Sequence, residues 1–299
     1  MPKSPPSNGR ALRVTQSLLR KRPLPEPSGS DDKDARGSVL VVGGEVTVPG
    51  AVILAGIAAL RAGAGKLQIA TCKSIAPLVG IAVPEALSLG LDETADGHIA
   101  RGAASMLDDL LQQSDALLIG PGMKGGPDEK EFVLSVIDRS DTSIIVDAGA
   151  IDALSVRPDA LHKLEGRAVI TPHLGEMSRM LGIDEDEISK HPERLSLDTA
   201  SSLNAVVALK GARTFIASPE GEIFCYDSGD VGLATSGSGD TLAGVVAGLV
   251  ARGAKPLHAA LWGIFLHGSA GNKLAKRMGR IGYLARELLD EIPPIMNRF

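Results

Sequence analysis

Short, wholly apolar runs alternate along the chain with longer stretches in which apolar residues recur every three or four positions. SVLVVGG (38–44), LQIAT (67–71), ALSLGL (86–91), ALLIGPG (116–122), SIIVDAG (143–149) and AVITPH (168–173) are short, and most are bounded by glycine or proline, as buried strands are. Helical spacing lies between them. It predicts helices after Pro49, near IAPLVG (75–80), over Ala103–Gln113, over Asp128–Arg139, over Ala150–Val156 and over LGEMSRML (174–181). Strand and helix in regular alternation give a mostly parallel central sheet with helices on both faces, an α/β architecture. From Ala205 the pattern changes to VVALKG, TFIAS and IFCYD, short strands separated by turn residues, which read as an antiparallel edge. Three helices close the chain at Asp240–Arg252, Pro256–Met278 and Tyr283–Glu291, and no internal repeat is visible.

The first residues follow a different rule. Up to about position 37 the chain is rich in Pro, Ser, Lys and Asp, so residues 1–32 are expected to be a flexible or loosely docked N-terminal arm, with one short helix in LRVTQSLLRKR. Residues 33–299 are expected to form a single domain.

Composition narrows the function classes. With 44% hydrophobic but 3% aromatic residues, the core has to be built from Ala, Val, Ile and Leu. A net charge of -5 argues against nucleic acid as the main partner, while local basic groups remain able to hold phosphate. The apolar run before Arg252 stops far short of the ~20 residues a bilayer requires, so no membrane partner is expected. Cys72 and Cys225 show no metal or redox spacing and read as small buried hydrophobes, which suits a cytoplasmic setting. No apolar segment follows the N-terminal charges, so no secretory signal is expected.

The chemistry is concentrated in GLATSGSGDTLAGVVAGLVARG (232–253), a glycine-rich turn running into an apolar helix. Gly237, Ser238 and Gly239 precede a first helical turn whose free N–H groups and dipole make an anion hole. Asp240 has two readings: a helix cap, or a general base that takes a proton from a substrate hydroxyl while the amides hold the anion. No G-K-[ST] closes the loop, so it is not a Walker A motif. Small residues at 243, 244, 247 and 248 fit the helix to lie close against another element. Lys210 through Thr214, KGART, form a hairpin tip that is either a solvated turn or a hold for a nucleotide phosphate or ribose. His173 and Glu176 open a helix one turn apart, as site residues or as helix-start polar groups. His267 reads as a packing histidine, and Asp184–Glu187 as a solvated helix start. Gly43, Gly122, Asp147 and His173 all fall at strand ends, where the crevice of a parallel sheet lies.

Five motifs in order, VVGG with PGAVILAGIAALRAGAG, GPG after ALLI, TPHLGE, LKGART and GLATSGSGDTLAG, resemble the ADP-dependent NAD(P)H-hydrate dehydratases of the ribokinase-like superfamily. The resemblance implies a free-standing dehydratase with a ribokinase-like three-layer sandwich. It implies repair of hydrated NADH or NADPH at the expense of ADP or ATP with Mg2+, and a homotetramer. By that resemblance Ala51, Gly122, His173 and Asp240 would contact the hydrated nicotinamide nucleotide, and Lys210, Gly211, Ala212, Arg213, Thr214 and Gly239 the adenine nucleotide. Asp240 would be the catalytic base, and no carboxylate pair identifies metal ligands. The chain departs from the family pattern at Glu45 (usually Ser), Lys124, Gly149 (usually Asp), Asp230 (usually Asn) and Ser236 (usually Gly). New charge at 45 or 124 is expected to affect a phosphate-bearing substrate. Two alternatives stand beside this reading: a hydroxymethyl kinase of the same fold, and a non-catalytic nucleotide-binding relative.

Overall fold

The computed structural model describes residues 11–26 and 33–299. In chain order its strands are β1 (Leu12–Arg13), β2 (Ser38–Val42), β3 (Lys66–Cys72), β4 (Ala86–Leu91), β5 (Ala116–Ile119), β6 (Ser143–Val146), β7 (Ala168–Ile170), β8 (Val206–Leu209), β9 (Thr214–Ala217) and β10 (Ile223–Tyr226). They form one sheet ordered β1-β10-β9-β8-β7-β6-β5-β2-β3-β4. β2 to β8 are parallel, and β9 runs antiparallel to both β8 and β10. The expected antiparallel edge is therefore present.

The helices are α1 (Gln16–Arg20), α2 (Gly50–Arg61), α3 (Ala76–Ala82), α4 (Asp108–Gln112), α5 (Pro127–Arg139), α6 (Leu174–Leu181), α7 (Glu185–Lys190), α8 (Pro192–Leu203), α9 (Ser238–Ala251), α10 (Pro256–Met278) and α11 (Ala285–Met296). Strand side chains alternate between faces, and both faces of this sheet are covered. Val39 and Val41 join one core cluster with α2, α9, α10 and α11, whereas Leu40 and Val42 join a second with α5, α6 and α8. That explains why β2 reads as an unbroken apolar run. Each fully buried Leu, Ile or Val contributes roughly 1.5–3 kcal/mol relative to exposure.

Several boundaries differ from those read in the sequence. The segments expected as helices at 103–113 and 150–156 are largely 3-10 turns, Arg101–Leu107 and Ala148–Ser155, with α4 following the first. The last helix runs to Met296 through Pro293 and Pro294, whose missing N–H groups fall near its end. α9 starts at Ser238, two residues before the expected start, because Gly237 at φ 82° turns the chain into it.

The described part of the expected arm is firmly docked. β1 adds a parallel strand to β10, Leu19 is fully buried, the Trp262 indole N–H donates to the Arg22 carbonyl (2.7 Å) and Arg252 donates to the Pro25 carbonyl (2.9 Å). Polar composition hid three well-placed apolar residues, Val14, Leu18 and Leu19, that pack on the core. Among the described residues no helix is long and apolar enough to cross a membrane.

Candidate active site

Strand order reverses between β2 and β5, since β3 and β4 continue outward from β2 while β6, β7 and β8 continue outward from β5. A crevice opens at such a point beyond the strands' carboxyl ends. Here the Gly44 N–H donates to the Pro121 carbonyl (2.8 Å) and the Glu45 N–H to the Gly122 carbonyl (3.3 Å), so the two loops form one floor. A Cβ on Gly122 would meet the Ala51 Cβ at 3.0 Å, which puts these two predicted residues side by side.

α2 and α9 bring Asp240 to that floor. A Cβ on Gly244 would lie 2.1 Å from the Ala55 carbonyl oxygen, and one on Gly248 would lie 2.3 Å from that of Ala59. Both helices thus advance four residues together, so they are parallel and in backbone contact. The same step back from Gly244 and Ala55 pairs Asp240 with Ala51 at the two amino-terminal ends. Small residues at 244 and 248 are what permit this approach.

Lys210 binds the parts of the site into one cluster. Its backbone N–H donates to the Pro172 carbonyl (2.7 Å), which pins the hairpin of β8 and β9 against the TPH corner. Its ammonium donates to Asp147 Oδ1 (3.0 Å), stands 3.8 Å from Glu176 Oε2 and approaches the Gly239 backbone. Asp147 also accepts the Thr171 hydroxyl at 2.6 Å. His173 caps α6: its backbone N–H donates to Glu176 Oε2 (2.7 Å) and its Nδ1 accepts the Glu176 N–H (3.2 Å), leaving Nε2 to carry the proton of the neutral ring.

The electrostatics follow from three acids around one cation. Burial pushes the Asp240 carboxyl up to about 6, with Asp147 adding to the shift and Lys210 opposing it. Burial likewise raises Glu176, against the pull of Lys210. For Lys210 burial works downward, but Asp147 and Glu176 outweigh it and hold the ammonium above its ordinary value. A half-buried acid poised near neutrality beside a fixed cation is suited to general-base work.

Beyond this cluster opens a cleft of about 800 Å³, lined by His173, Lys210, Gly211, Ala212, Thr214, Ser238 and Gly239 among others. Most of the predicted nucleotide residues therefore meet in one cavity. Arg213 does not line it; its guanidinium lies over the Phe215 ring, 5.6 Å from the centroid. One donor of the expected anion hole is already used, because the Ser238 N–H donates to the Thr235 carbonyl (3.2 Å). The amides of Gly239 and Asp240 lie in the first helical turn, where donors lack intrahelical acceptors.

Two cleft residues have partners that the sequence reading did not give. His267 is not simple packing: its Nε2 is 2.9 Å from Ser238 Oγ, and burial lowers it to about 4, so it stays neutral and holds the serine. Arg280 lines the cleft and pairs with Asp230 at 3.2 Å, while Asp230 accepts the Gly232 N–H. The acid at position 230 thus has a partner in a glycine-rich link, a spacing with no sequence signature. At Gly149 a Cβ would fall 2.4 Å from the Met123 carbonyl oxygen and 2.6 Å from the Gly125 nitrogen, so the 123–125 loop occupies the space an acid would need.

A profile of the NAD(P)H-hydrate dehydratase family matches residues 39–294. This chain belongs to that family. It is 47% identical to the ADP-dependent (S)-NAD(P)H-hydrate dehydratase of Xanthomonas campestris pv. campestris over 97% of both chains. The structure resembles the ADP/ATP-dependent NAD(P)H-hydrate dehydratase of Bacillus subtilis co-crystallized with ATP/Mg2+, with a TM-score of 0.81, 30% identity, and coverage of 96% of this chain and 98% of that one. It also resembles a ribokinase-like superfamily protein from Enterococcus faecalis, with a TM-score of 0.83, 26% identity and 99% coverage of both chains. The expected ribokinase-like fold is thereby established.

Proposed function

We propose that this chain dehydrates hydrated NADH or NADPH to the reduced cofactor, using ADP or ATP as phosphoryl donor. The observation that carries the reading is the position of Asp240. It opens α9, whose backbone contact with α2 sets it level with Ala51, it follows Gly239 on the cleft wall, and it feels the charges of Lys210, Asp147 and Glu176. The hydrated nicotinamide lies on the floor, with His173 at its margin, and the adenine nucleotide occupies the cleft.

Asp240 accepts the proton of the ring hydroxyl as that oxygen attacks the terminal phosphorus of the nucleotide. The Gly239 and Asp240 amides and the Lys210 ammonium face the charge spread over the migrating phosphoryl group. AMP leaves when ADP is the donor. The phosphorylated carbon then loses phosphate with its bonding pair, a ring proton leaves the neighbouring carbon, and the double bond of the reduced nicotinamide is restored. The sum is hydrated NADH plus ADP giving NADH, AMP and phosphate.

Asp147 and Glu176, both at the Lys210 ammonium, offer hard oxygen donors of the kind Mg2+ takes. That suits Mg2+, which keeps water and takes one or two carboxylates together with substrate phosphates. When bound, the ion neutralises phosphate charge. A homotetramer belongs to the same reading, and a sizing measurement tests it.

The deciding assay supplies hydrated NADH, ADP and Mg2+ and follows reduced-nicotinamide absorbance together with phosphate release. Both signals rise in equal amounts if the reading holds. A phosphorylated product that accumulates without return of absorbance would identify a kinase, and ADP binding with neither signal would identify a non-catalytic relative.

A further inference from the structure

The departures at 45 and 124 lead away from the cluster around Asp240 to a second group of polar side chains. Lys124 Nζ lies 2.9 Å from Glu45 Oε2, and the Lys124 backbone N–H donates to Glu45 Oε1 at 2.9 Å. The two new charges therefore answer each other, with the Glu45 carboxylate only 1% exposed. A second buried acid, Glu129, faces the same point; its Oε2 accepts the Gly125 and Gly126 N–H groups at 2.9 and 3.0 Å. His98 completes the group, with Nδ1 3.1 Å from Glu45 Oε1 and 4.0 Å from Glu129 Oε1.

From these contacts we infer that Glu45, His98 and Glu129 form a binding site for a divalent transition-metal ion, separate from the Mg2+ carried by the nucleotide. Glu129 Oε1 and His98 Nδ1 are buried and make no hydrogen bond, although they point at each other and at Glu45. A buried carboxylate oxygen in that condition is costly unless a cation meets it. The spacing is that of ligands around an ion. Ligand atoms of Glu45, His98 and Glu129 all lie within 4.8 Å of one another. Zinc ligands at roughly 2.0–2.2 Å from the metal stand about 3–4 Å apart.

Charge and chemistry agree with that geometry. Two buried acids face the single Lys124 ammonium, a donor set that draws a cation. One imidazole nitrogen with two carboxylate oxygens suits Zn2+ or Mn2+ better than Mg2+. The supporting groups are already in place: Glu129 is oriented by two backbone amides, and His98 sits on a tight turn in which its N–H donates to Thr94 Oγ1 (3.2 Å) and its carbonyl accepts the Thr94 N–H (2.8 Å). Nearby Cys72 is not a ligand. Its thiol donates to the Gly97 carbonyl at 3.5 Å and is not among the converging ligand atoms. A bound ion would tie the loop after β2 to the loop after β5, the two that form the crevice floor.

Zinc titration of the nucleotide-free chain, stripped with a chelator and followed by calorimetry at pH 7.5, tests the site without reference to any activity. One ion per chain is expected, with affinity at least tenfold weaker in Glu129→Gln and in His98→Gln and unchanged in Asp240→Asn. X-ray absorption of the zinc-loaded wild type covers the case in which the variants do not fold, and should show one imidazole with oxygen ligands at about 2.0–2.2 Å. Absence of stoichiometric binding, full affinity in both variants, or a shell containing sulfur or several imidazoles would overturn the inference. None of these outcomes bears on the dehydratase reading, because no substrate is present.

Discussion

Asp240 combines two properties that work against each other. Burial, the largest influence, raises its carboxyl to about 6, which makes it a useful base near neutrality and an uncomfortable charge in the folded protein. The sign follows from linkage: a carboxyl raised in the folded state binds protons more tightly there, so its contribution to stability is full at low pH and is lost as pH rises through about 6. We expect kcat/KM to climb with an ascending limb centred near pH 6, and Asp240→Asn to melt at a higher temperature than wild type at pH 8. A pH–rate profile and a thermal scan read the two effects. Lys210 is the counterpart. Removing its ammonium leaves Asp147, 2% exposed, and Glu176, 6% exposed, facing each other without a cation. Breaking a buried pair by deleting one partner costs about 3–5 kcal/mol, so Lys210→Ala should lower the denaturation free energy by that order. Loss of less than ~1 kcal/mol in a urea titration would mean the acids find other partners or protons.

At the scale of elements, the contact between α2 and α9 determines where the chemistry sits. The row of small residues at 243, 244, 247 and 248 announced a close approach, but nothing in one sequence names the surface approached. The structure supplies it: Gly244 against Ala55 and Gly248 against Ala59, in parallel. Gly244→Ala would place a methyl 2.1 Å from a backbone oxygen, so the helices must separate. Overpacking of this kind costs about 1–3 kcal/mol, and because Asp240 is one turn away, kcat should fall along with stability. Unfolding curves and turnover on the same variant check both; an unchanged kcat would show that Asp240 is positioned independently of this contact. The hairpin of β8 and β9 shows the other side of legibility. Its strands and turn were readable from KGART, yet the turn's lysine points inward to Asp147, a long-range pairing across 63 positions. Sequence periodicity carries local geometry and says little about such pairings.

For the whole molecule, the alternation of apolar runs and helical spacing was enough to specify a mostly parallel sheet with helices on both faces and an antiparallel edge. Strand ends were enough to mark Gly43, Gly122, Asp147 and His173 as candidates for one crevice. What composition concealed was the docking of residues 11–26, where a Pro- and Ser-rich frame carries a fully buried Leu19. Leu19→Ala should cost about 2–4 kcal/mol in urea unfolding, a loss that a solvated arm would not show. Also hidden were the pairing of Glu45 with Lys124 and the seat of His267 against Ser238, since both join residues distant in the chain. The central claim concerns Asp240, and the most direct measurement compares Asp240→Asn with wild type for ADP affinity and for return of reduced-nicotinamide absorbance from hydrated NADH. The account predicts an ADP affinity within about threefold of wild type and a turnover lowered by roughly 10²–10⁴. Turnover within tenfold of wild type would contradict it.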